Sequence, residues 1–511
     1  MDIPKRMLKR IDNFLNGITM YRLVLYYLVL LLAVATLLGL VGILPYDPAA
    51  IVFSTAIITA TGWLVNRLFA RVFGVAENVE SVYITAFILA LIISPVAAKD
   101  YAGIGFLVFA SAWAMACKYL FAIKKKHLFN PAAFGVALSA IMIGQSATWW
   151  VGGNVPLLPF VLLGGILIVR KIRRFDLILS FSAVALGTIV ATSASGGFVT
   201  PIIQTLLHSS FFFLAFVMLT EPLTTPPNRT MRILYGAIVG LFFAPAIHIG
   251  SFYFTPEIAL LIGNVFSYIA SPKERLKLTL RSIDTIGPDT YEFVFDPDRR
   301  FSFRPGQYLE LTLGHRFSDD RGNRRYFTIA SSPTERDIRF GVKFYKPPSS
   351  FKRALRAMEI GDAISASQLA GNFVLPKDEK QKLVFIAGGI GVTPFRSMVQ
   401  YLLDKKEMRS VVLFYANKAA DNIAYRDVFD RARNELGVKT IYLATGEKTP
   451  VPGIYTEPLS SKLIMREVPD YRERTFYLSG PNAMVTAFKE TLLTMGIPRR
   501  KIKVDFFPGF A

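Results

Sequence analysis

Two short stretches of this 511-residue chain carry residue types whose spacing suits work on a phosphorylated ligand. Gly388-Gly389-Ile390-Gly391-Val392-Thr393-Pro394 follows the apolar run Val384-Phe385-Ile386-Ala387, and Tyr477-Leu478-Ser479-Gly480-Pro481 comes roughly 90 residues later. Glycines after a strand permit a tight turn and let a diphosphate approach backbone donors at the start of the next helix. Cys117 is the single cysteine, so an intrachain disulfide, a four-thiolate iron–sulfur cluster and a thiolate zinc site are excluded. Any electron carrier held by this chain is therefore organic or haem, and no metal site is expected. Only His127, His208, His248 and His315 exist; one haem would need His208 and His248, while the alternative is that isolated histidines serve helix contacts.

The elements that must position these residues fall into two classes. Up to about residue 270 the chain is a series of long apolar runs, at 21–44, 49–70, 81–96, 102–123, 131–150, 156–169, 177–191, 202–219, 233–249 and 254–269. A helix needs about 20 apolar residues to cross a bilayer, so we expect about ten membrane spans. Lys and Arg collect at alternate loops: Lys5, Arg6, Lys9 and Arg10; Arg67 and Arg71; Lys124 to Lys126; Arg170, Lys171, Arg173 and Arg174; Arg229 and Arg232; Lys273, Arg275 and Lys277. The opposite loops offer only Lys99, which predicts a multi-pass protein of the cell (inner) membrane with both termini cytoplasmic. The net charge of +21 is thus a topology signal and does not call for nucleic acid. The first apolar run is too long for a cleavable signal peptide. Beyond residue 276, short alternating stretches at 276–283, 291–295, 308–313 and 326–330 predict an antiparallel β-barrel. Buried strands at 383–387, 411–415, 440–444 and 475–478, interleaved with helices, predict an α/β doubly wound sheet. The expected organisation is an N-terminal cytoplasmic segment over 1–20, a polytopic membrane domain over 21–271, a barrel domain over 272–376 and an α/β domain over 377–511.

Within the apolar half, His127-Leu128-Phe129-Asn130-Pro131-Ala132-Ala133, Thr220-Glu221-Pro222 and Tyr235-Gly236-Ala237-Ile238-Val239-Gly240 resemble loop motifs of the B subunit of sodium-translocating NADH:quinone reductases and the D subunit of Rnf complexes. The bland alternative is that Asn-Pro and Glu-Pro punctuate helix ends. In that family a threonine in a Ser-Gly-Ala-Thr motif after the seventh span holds FMN through a phosphodiester. The corresponding stretch here is Ala191-Thr192-Ser193-Ala194-Ser195-Gly196-Gly197-Phe198-Val199-Thr200-Pro201, whose motif departs from that pattern; Thr200 is the candidate carrier, and a plain small-residue loop is the alternative.

In the second half, Arg325-Tyr326-Phe327-Thr328 is similar to the Arg-x-Tyr-Ser flavin motif of the ferredoxin-NADP reductase family, and the barrel followed by a nucleotide sheet is that family's architecture. The resemblance implies that Arg325 neutralises the FAD pyrophosphate, that Phe327 lies against the flavin ring and that the Thr328 hydroxyl reaches its N5. Ser349-Ser350-Phe351 matches the segment that completes the pyrophosphate site, although Lys346-Pro347-Pro348 replaces the usual glycine. Gly388, Gly389, Gly391, Thr393, Pro394, Gly480 and Pro481 match the NAD(P)H site, with Ser479 where relatives often have cysteine. A terminal aromatic covers the flavin in relatives, which makes Phe507 or Phe510 the candidate; the alternative is that both are core aromatics closing the last strand. Asn417-Lys418 is followed by Asp421 and Tyr425 where NADP-preferring relatives commonly show a stronger Arg or Ser set for the 2'-phosphate, which leans toward NADH over NADPH.

The reading that follows is a membrane-bound oxidoreductase that takes hydride from NAD(P)H to FAD on the cytoplasmic side. Electrons would then pass into the membrane domain toward FMN, a quinone or an extracytoplasmic acceptor, with a partner electron-transfer subunit or an extracytoplasmic flavoprotein as further candidates. Glu221 and Glu257 are acids in or beside the spans; ion pumping is not implied. Two alternatives stand beside this reading: a transporter or anchor with a flavin redox-sensing module, and a haem-containing ferric-reductase-like protein.

Overall fold

A computed structural model describes residues 7–505 apart from 8–9, 13, 16–17, 75–78, 124–125, 194–196, 272–275, 316–318, 320–321 and 447–450. The chain divides into two compact units, Met1–Glu274 and Arg275–Ala511.

Ten helices of ten or more residues are present among the described residues of the first unit. They are α1 (Met20–Leu40), α2 (Pro48–Val72), α3 (Val79–Ile92), α4 (Tyr101–Leu120), α5 (Pro131–Ile143), α6 (Leu158–Ile172), α7 (Phe175–Thr192), α8 (Val199–His208), α9 (Arg229–Phe243) and α10 (Pro256–Ala270). Their starts follow local chemistry: the Thr19, Asp47, Asp100, Asn130 and Asn228 side chains accept backbone N–H groups of the first turn, and Pro48 and Pro131 sit where no N–H is needed. Five helical stretches are long and apolar enough to cross a membrane: Met20–Leu40, Pro48–Val72, Tyr101–Leu120, Val155–Ile172 and Phe175–Thr192. Val199–His208 and Phe211–Met218 would make a sixth as a pair bent by 62°. Several apolar runs are therefore broken where the sequence reads as continuous. The run at 131–150 stops as a helix at Ile143 because Gly144 turns left-handed, with φ 67°, and the run at 233–249 stops at Phe243 and gives way to a hairpin, His248–Ile249 with Phe252–Tyr253.

The second unit opens with β1 (Leu276–Gly287), β2 (Thr290–Pro297), β3 (Tyr308–Thr312), β4 (Arg324–Thr328), β5 (Ile338–Lys343), helix α11 (Ser350–Arg356) and β6 (Ala363–Ala370). These six strands pair antiparallel in the order β4-β3-β6-β1-β2-β5. Alternation puts Leu276, Leu278, Leu280, Phe293, Phe295, Leu309, Leu311, Phe340 and Val342 on one buried face around Phe351. Beyond the paired strands, the Ala330 N–H donates to Arg339 O at 2.8 Å and brings the continuation of β4 to β5. The six-stranded antiparallel sheet takes the place expected of the barrel.

The chain continues through β7 (Leu383–Gly388), α12 (Thr393–Lys405), β8 (Val411–Asn417), α13 (Arg426–Leu436), β9 (Lys439–Ala444), β10 (Ile454–Tyr455), α14 (Ser461–Glu467), β11 (Thr475–Ser479), α15 (Asn482–Thr494) and β12 (Ile502–Asp505). All ladders are parallel, in the order β10-β9-β8-β7-β11-β12. Every residue of β7 is buried, as a central strand covered on both faces requires. The order reverses beside β7, since the chain goes from β7 to β8 on one side and later returns to β11 on the other. A doubly wound sheet binds its ligand at such a switch point, outside the carboxyl ends of the strands.

Candidate functional site

The carboxyl ends of β7 and β11 are where the two glycine motifs meet. A Cβ placed on Gly391 would lie 2.5 Å from Gly480 N and Cα and 2.6 Å from Ser479 O, so no side chain fits. Gly388 faces the end of the Met484 side chain and Pro481, a closeness that a shift of the flexible methionine could relieve. Gly389, at φ 53°, has nothing within 4 Å of its missing side chain, which leaves the outer side of the turn open. Helix α12 starts here with no side-chain cap, and Pro394 lies in its first turn. The 3-10 turn Gly389–Val392 runs straight into α12, whose Thr393 N–H donates to Ile390 O and whose Pro394 has no N–H, so the donors offered to a diphosphate are those at the head of the glycine turn itself. Ser479 ends β11, is buried and is in register with Ala387 on one side and Asp505 on the other. Thr393 is buried, and its hydroxyl donates to Ile390 O at 3.3 Å.

On β4 the side chains alternate. Arg325 is buried, donates to the carbonyls of Gly322 (3.2 Å) and Arg324 (2.6 Å), and stands 5.3 Å over the Phe351 ring. Phe327 packs in the same direction, 6.1 Å from Phe351 and 6.2 Å from Phe340. Tyr326 is 41% exposed, edge-on to Tyr308, and Thr328 is buried at the strand's end. Ser349 caps α11 by accepting the Lys352 N–H. The Ser350 N–H donates to the Asp319 carboxylate at 2.7 Å, while its hydroxyl accepts the Asp319 N–H and meets His315 Nε2, both at 2.9 Å. The structure thus brings Arg325, Phe327, Ser349, Ser350 and Phe351 together. The Ser350 N–H is engaged by the Asp319 carboxylate, so a pyrophosphate held there takes that carboxylate's place.

The strand and the glycine turn are joined through β5 and α12. A Cβ on Gly341 would sit 2.7 Å from the Tyr425 hydroxyl, 2.9 Å from Thr393 Cγ2 and 3.0 Å from Ile390 Cδ1, so the turn lies flat on the antiparallel sheet. Around this contact runs a chain of charges that the sequence reading did not single out. Arg339 pairs with Glu292 (3.0 Å), Asp337 (2.9 Å) and Glu335 (3.6 Å), and Glu335 pairs with Arg396. Burial disfavours charge on Arg396, but Glu335 outweighs it and holds the guanidinium above its usual pKa. Burial and the neighbouring Glu292 keep the Tyr425 phenol well above its usual pKa, so it stays protonated. A signal for Arg396 was present: Phe395, Val399, Leu402 and Leu403 recur at helical spacing along α12, and Arg396 falls beside them among its buried residues. A buried charge demands a partner.

Phe507 and Phe510 lie outside the described residues. Asn417 ends β8 and is buried, whereas Asp421 is exposed in the loop that follows. Thr200 is exposed in the first turn of α8, immediately before Pro201, rather than in a loop. His208 and His248 are both exposed; His248 lies on the hairpin, against Gly250 O and the Tyr253 ring, so neither imidazole is inside the helical core. Among the described residues, no group of three or more His, Cys, Asp or Glu side chains is arranged to hold a metal.

The three motifs of the first unit converge. Asn130 caps α5 through Ala133 N–H, its amide donates to Glu221 at 2.8 Å, and its own N–H donates to Asn264 at 2.7 Å. Asn264 donates to the Tyr235 hydroxyl at 3.0 Å. Thr224 also donates to Glu221 at 3.1 Å, and Glu257 accepts the Trp149 indole N–H at 3.0 Å. Asn130, Glu221 and Tyr235, from three separately read motifs, thus join through Asn264 in one largely buried polar node, and Glu257 with Trp149 makes a separate pair.

Residues 385–490 match the family model of the oxidoreductase NAD-binding domain. The chain is 25% identical over 257 residues to a flavohemoprotein of Halalkalibacterium halodurans, covering 47% of this chain and 59% of that protein. It is 28% identical over 218 residues to the reductase component of propane 2-monooxygenase from Rhodococcus jostii, covering 41% and 57% respectively. The chain thus spans less than two thirds of the length of these curated relatives. Among solved structures, the flavohem-like FAD/NAD-binding domain of nitric oxide dioxygenase from Vibrio cholerae aligns at 20% identity and a TM-score of 0.41, over 45% of this chain and 98% of that one. The second unit carries an oxidoreductase NAD-binding domain.

Proposed function

We propose that the chain is a membrane-bound flavoprotein that oxidises NAD(P)H on the cytoplasmic side and passes the electrons into its helical unit. The observation that carries this reading is the meeting of Gly388, Gly391 and Gly480 at the open glycine turn that leads into α12, joined through Gly341 to the sheet bearing Arg325 and Phe351. Both halves of a two-cofactor site lie in one compact unit. FAD, when bound, supplies the chemistry: it accepts a hydride and releases electrons one at a time.

The protein's own residues supply binding and orientation. Arg325, Ser349 and Ser350 hold a pyrophosphate, Phe327 and Phe351 present apolar surface, and Thr328 brings a hydroxyl to the end of β4. The Gly388–Gly391 turn and the start of α12 hold the diphosphate of NAD(P)H, and Gly480, Pro481 and Ser479 border the nicotinamide. Phe507 or Phe510 covers the flavin face.

Five helices of spanning length support a polytopic membrane domain, and the ten apolar runs with Lys and Arg concentrated at alternate loops support reading it as about ten spans with both termini in the cytoplasm. The convergence of Asn130, Glu221 and Tyr235 supports kinship with the quinone-reductase and Rnf membrane subunits. A hydrocarbon core of about 30 Å must be crossed or entered, so a second carrier is required, with FMN on Thr200 or a quinone as candidates.

Detergent-solubilised protein is expected to release FAD on denaturation and to reduce ferricyanide with NADH. Bound FAD without turnover would favour a redox-sensing module, and a Soret band would favour the haem alternative. Flavin fluorescence that survives a denaturing gel and is lost in Thr200→Ala would support FMN on Thr200; its absence would move the acceptor to a quinone or a partner subunit.

A further inference from the structure

Helix α12 carries the nucleotide turn at its start, and the segment after β4 carries the flavin-side residues. They are tied together one turn beyond Thr393, at Arg396 and Ser397. Arg396 is 5% exposed and donates to Ala330 O at 3.1 Å, two residues past Thr328. Its second nitrogen donates to Glu335 Oε1 at 2.9 Å, while the first also meets Glu335 Oε2. The same Oε2 accepts the Ser332 N–H at 2.5 Å, and the Ser397 hydroxyl donates to Ser331 O at 2.6 Å. Three successive residues after β4, Ala330, Ser331 and Ser332, are thereby held by two successive residues of α12 and one carboxylate.

We propose that Arg396, Glu335 and Ser397 form a positioning clamp that sets the gap between the flavin strand and the nucleotide turn, and so the rate of hydride transfer, without touching either cofactor. This rests on the NAD(P)H–flavin reading above. The physical ground is that hydride transfer needs reacting atoms about 3–3.5 Å apart, and a displacement of about 1 Å costs on the order of 10²-fold. Arg is suited to this because its planar fork fixes direction as well as distance, which a lysine ammonium does not. A backbone carbonyl and a bidentate carboxylate on one guanidinium define an orientation; the Ser397 bond prevents rotation about it. Gly341 lets the side chains of Thr393 and Ile390 rest directly on the backbone of β5, so any loosening at Arg396 is transmitted to the residues of the turn.

The test uses the full chain in detergent with bound FAD, and reads the limiting rate of flavin reduction by NADH in stopped flow, the NADH concentration at half-maximal rate, and FAD content. Arg396→Lys and Glu335→Gln are expected to lower the limiting rate by about 10- to 100-fold, with the half-saturating NADH concentration within about threefold and FAD retained. The double variant Arg396→Met with Glu335→Leu removes both partners of the pair together, so neither charge is left facing an empty site, and its FAD content and unfolding midpoint report that it has folded. Its reduction rate is nevertheless expected to stay low, which a purely structural role would not produce. Limiting rates unchanged in FAD-loaded variants, or restored in the double variant, would overturn the clamp. Failure of the unaltered protein to oxidise NADH would instead overturn the functional reading, and the clamp with it.

Discussion

In α9, Gly236 and Gly240 lie against the carbonyls of Leu177 and Phe181 on α7, where a Cβ would come within 2.7 and 2.5 Å. At the head of the nucleotide sheet, Gly391 lies against Gly480 at the same 2.5 Å. In each place glycine permits backbone to touch backbone, yet the consequences differ. Between α7 and α9 the contact runs along two helices, with residues four apart, and serves close packing, as small-xxx-small pairs do between apolar helices. At Gly391 the contact joins two strand ends, and the neighbouring Gly389 leaves open space instead of a packed partner. The first is an end in itself; the second, on the proposed reading, shapes the turn that receives the nucleotide. Close approach alone does not mark a site; the open side of the Gly389 turn is what distinguishes the second contact.

The largest effect is expected at the second contact. Gly391→Ala forces a methyl into the Gly480 backbone, which has no flexible side chain to yield. NADH-dependent ferricyanide reduction should fall by about 10²-fold or more while FAD stays bound, measured by turnover and flavin absorbance. Gly240→Leu tests the other arm. It overpacks α7 against α9 and should destabilise the helical unit by about 1–3 kcal/mol, seen as a lower midpoint of thermal unfolding in detergent. NADH–ferricyanide turnover by the second unit should survive it. Loss of that turnover in Gly240→Leu would break the distinction between a packing glycine and a site glycine.

This distinction also accounts for what the sequence could tell. The glycine turn is legible because its function resides in the backbone: strand, glycines and helix start are contiguous, and only the position of Gly480 is remote. Strands β7, β8, β9 and β11 are legible as short buried runs, while β5 alternates Ile338, Phe340 and Val342 with Arg339 and Lys343 and went unread amid its charges. The helical unit hides its breaks. Hydropathy is blind to the left-handed Gly144 and to the 62° bend before Phe211, because apolar residues continue through both. The Asn130–Glu221–Asn264–Tyr235 node was half visible, as three motifs with no stated relation; only the fold pairs them. Arg396 and Glu335 were readable in principle from a charge on an apolar helix face, but which acid answers it depends on how β4 and β5 approach α12.

Smaller effects sharpen the comparison at the edge of the same site. Burial pushes the Asp505 carboxyl up to about 7, beside Ser479 in the sheet register. A raised carboxyl binds its proton more tightly folded than unfolded, so its stabilising contribution is complete below about pH 4 and is lost as pH rises to about 7. Asp505 is only partly buried, so the loss is about 1–2 kcal/mol after allowance for solvent. Unfolding midpoints between pH 5 and 8 should fall in the parent and flatten in Asp505→Asn, which resembles the protonated acid; an unchanged slope would remove Asp505 as its source.

The smallest effect is expected on the flavin side, where side chains rather than backbone close the site. Ser349→Ala removes the cap of α11, a loss of about 1 kcal/mol that should appear as a slight shift in unfolding. It leaves Ser350 and its bonds to Asp319 in place, so FAD affinity, measured by fluorescence titration after flavin removal, should weaken by no more than about tenfold. A side-chain site degrades gradually in this way because each donor contributes separately. If Ser349→Ala instead abolished FAD binding as completely as Gly391→Ala abolishes NADH turnover, the contrast between a backbone-built and a side-chain-built half would fail, and α11 would have to be treated as a single rigid cradle.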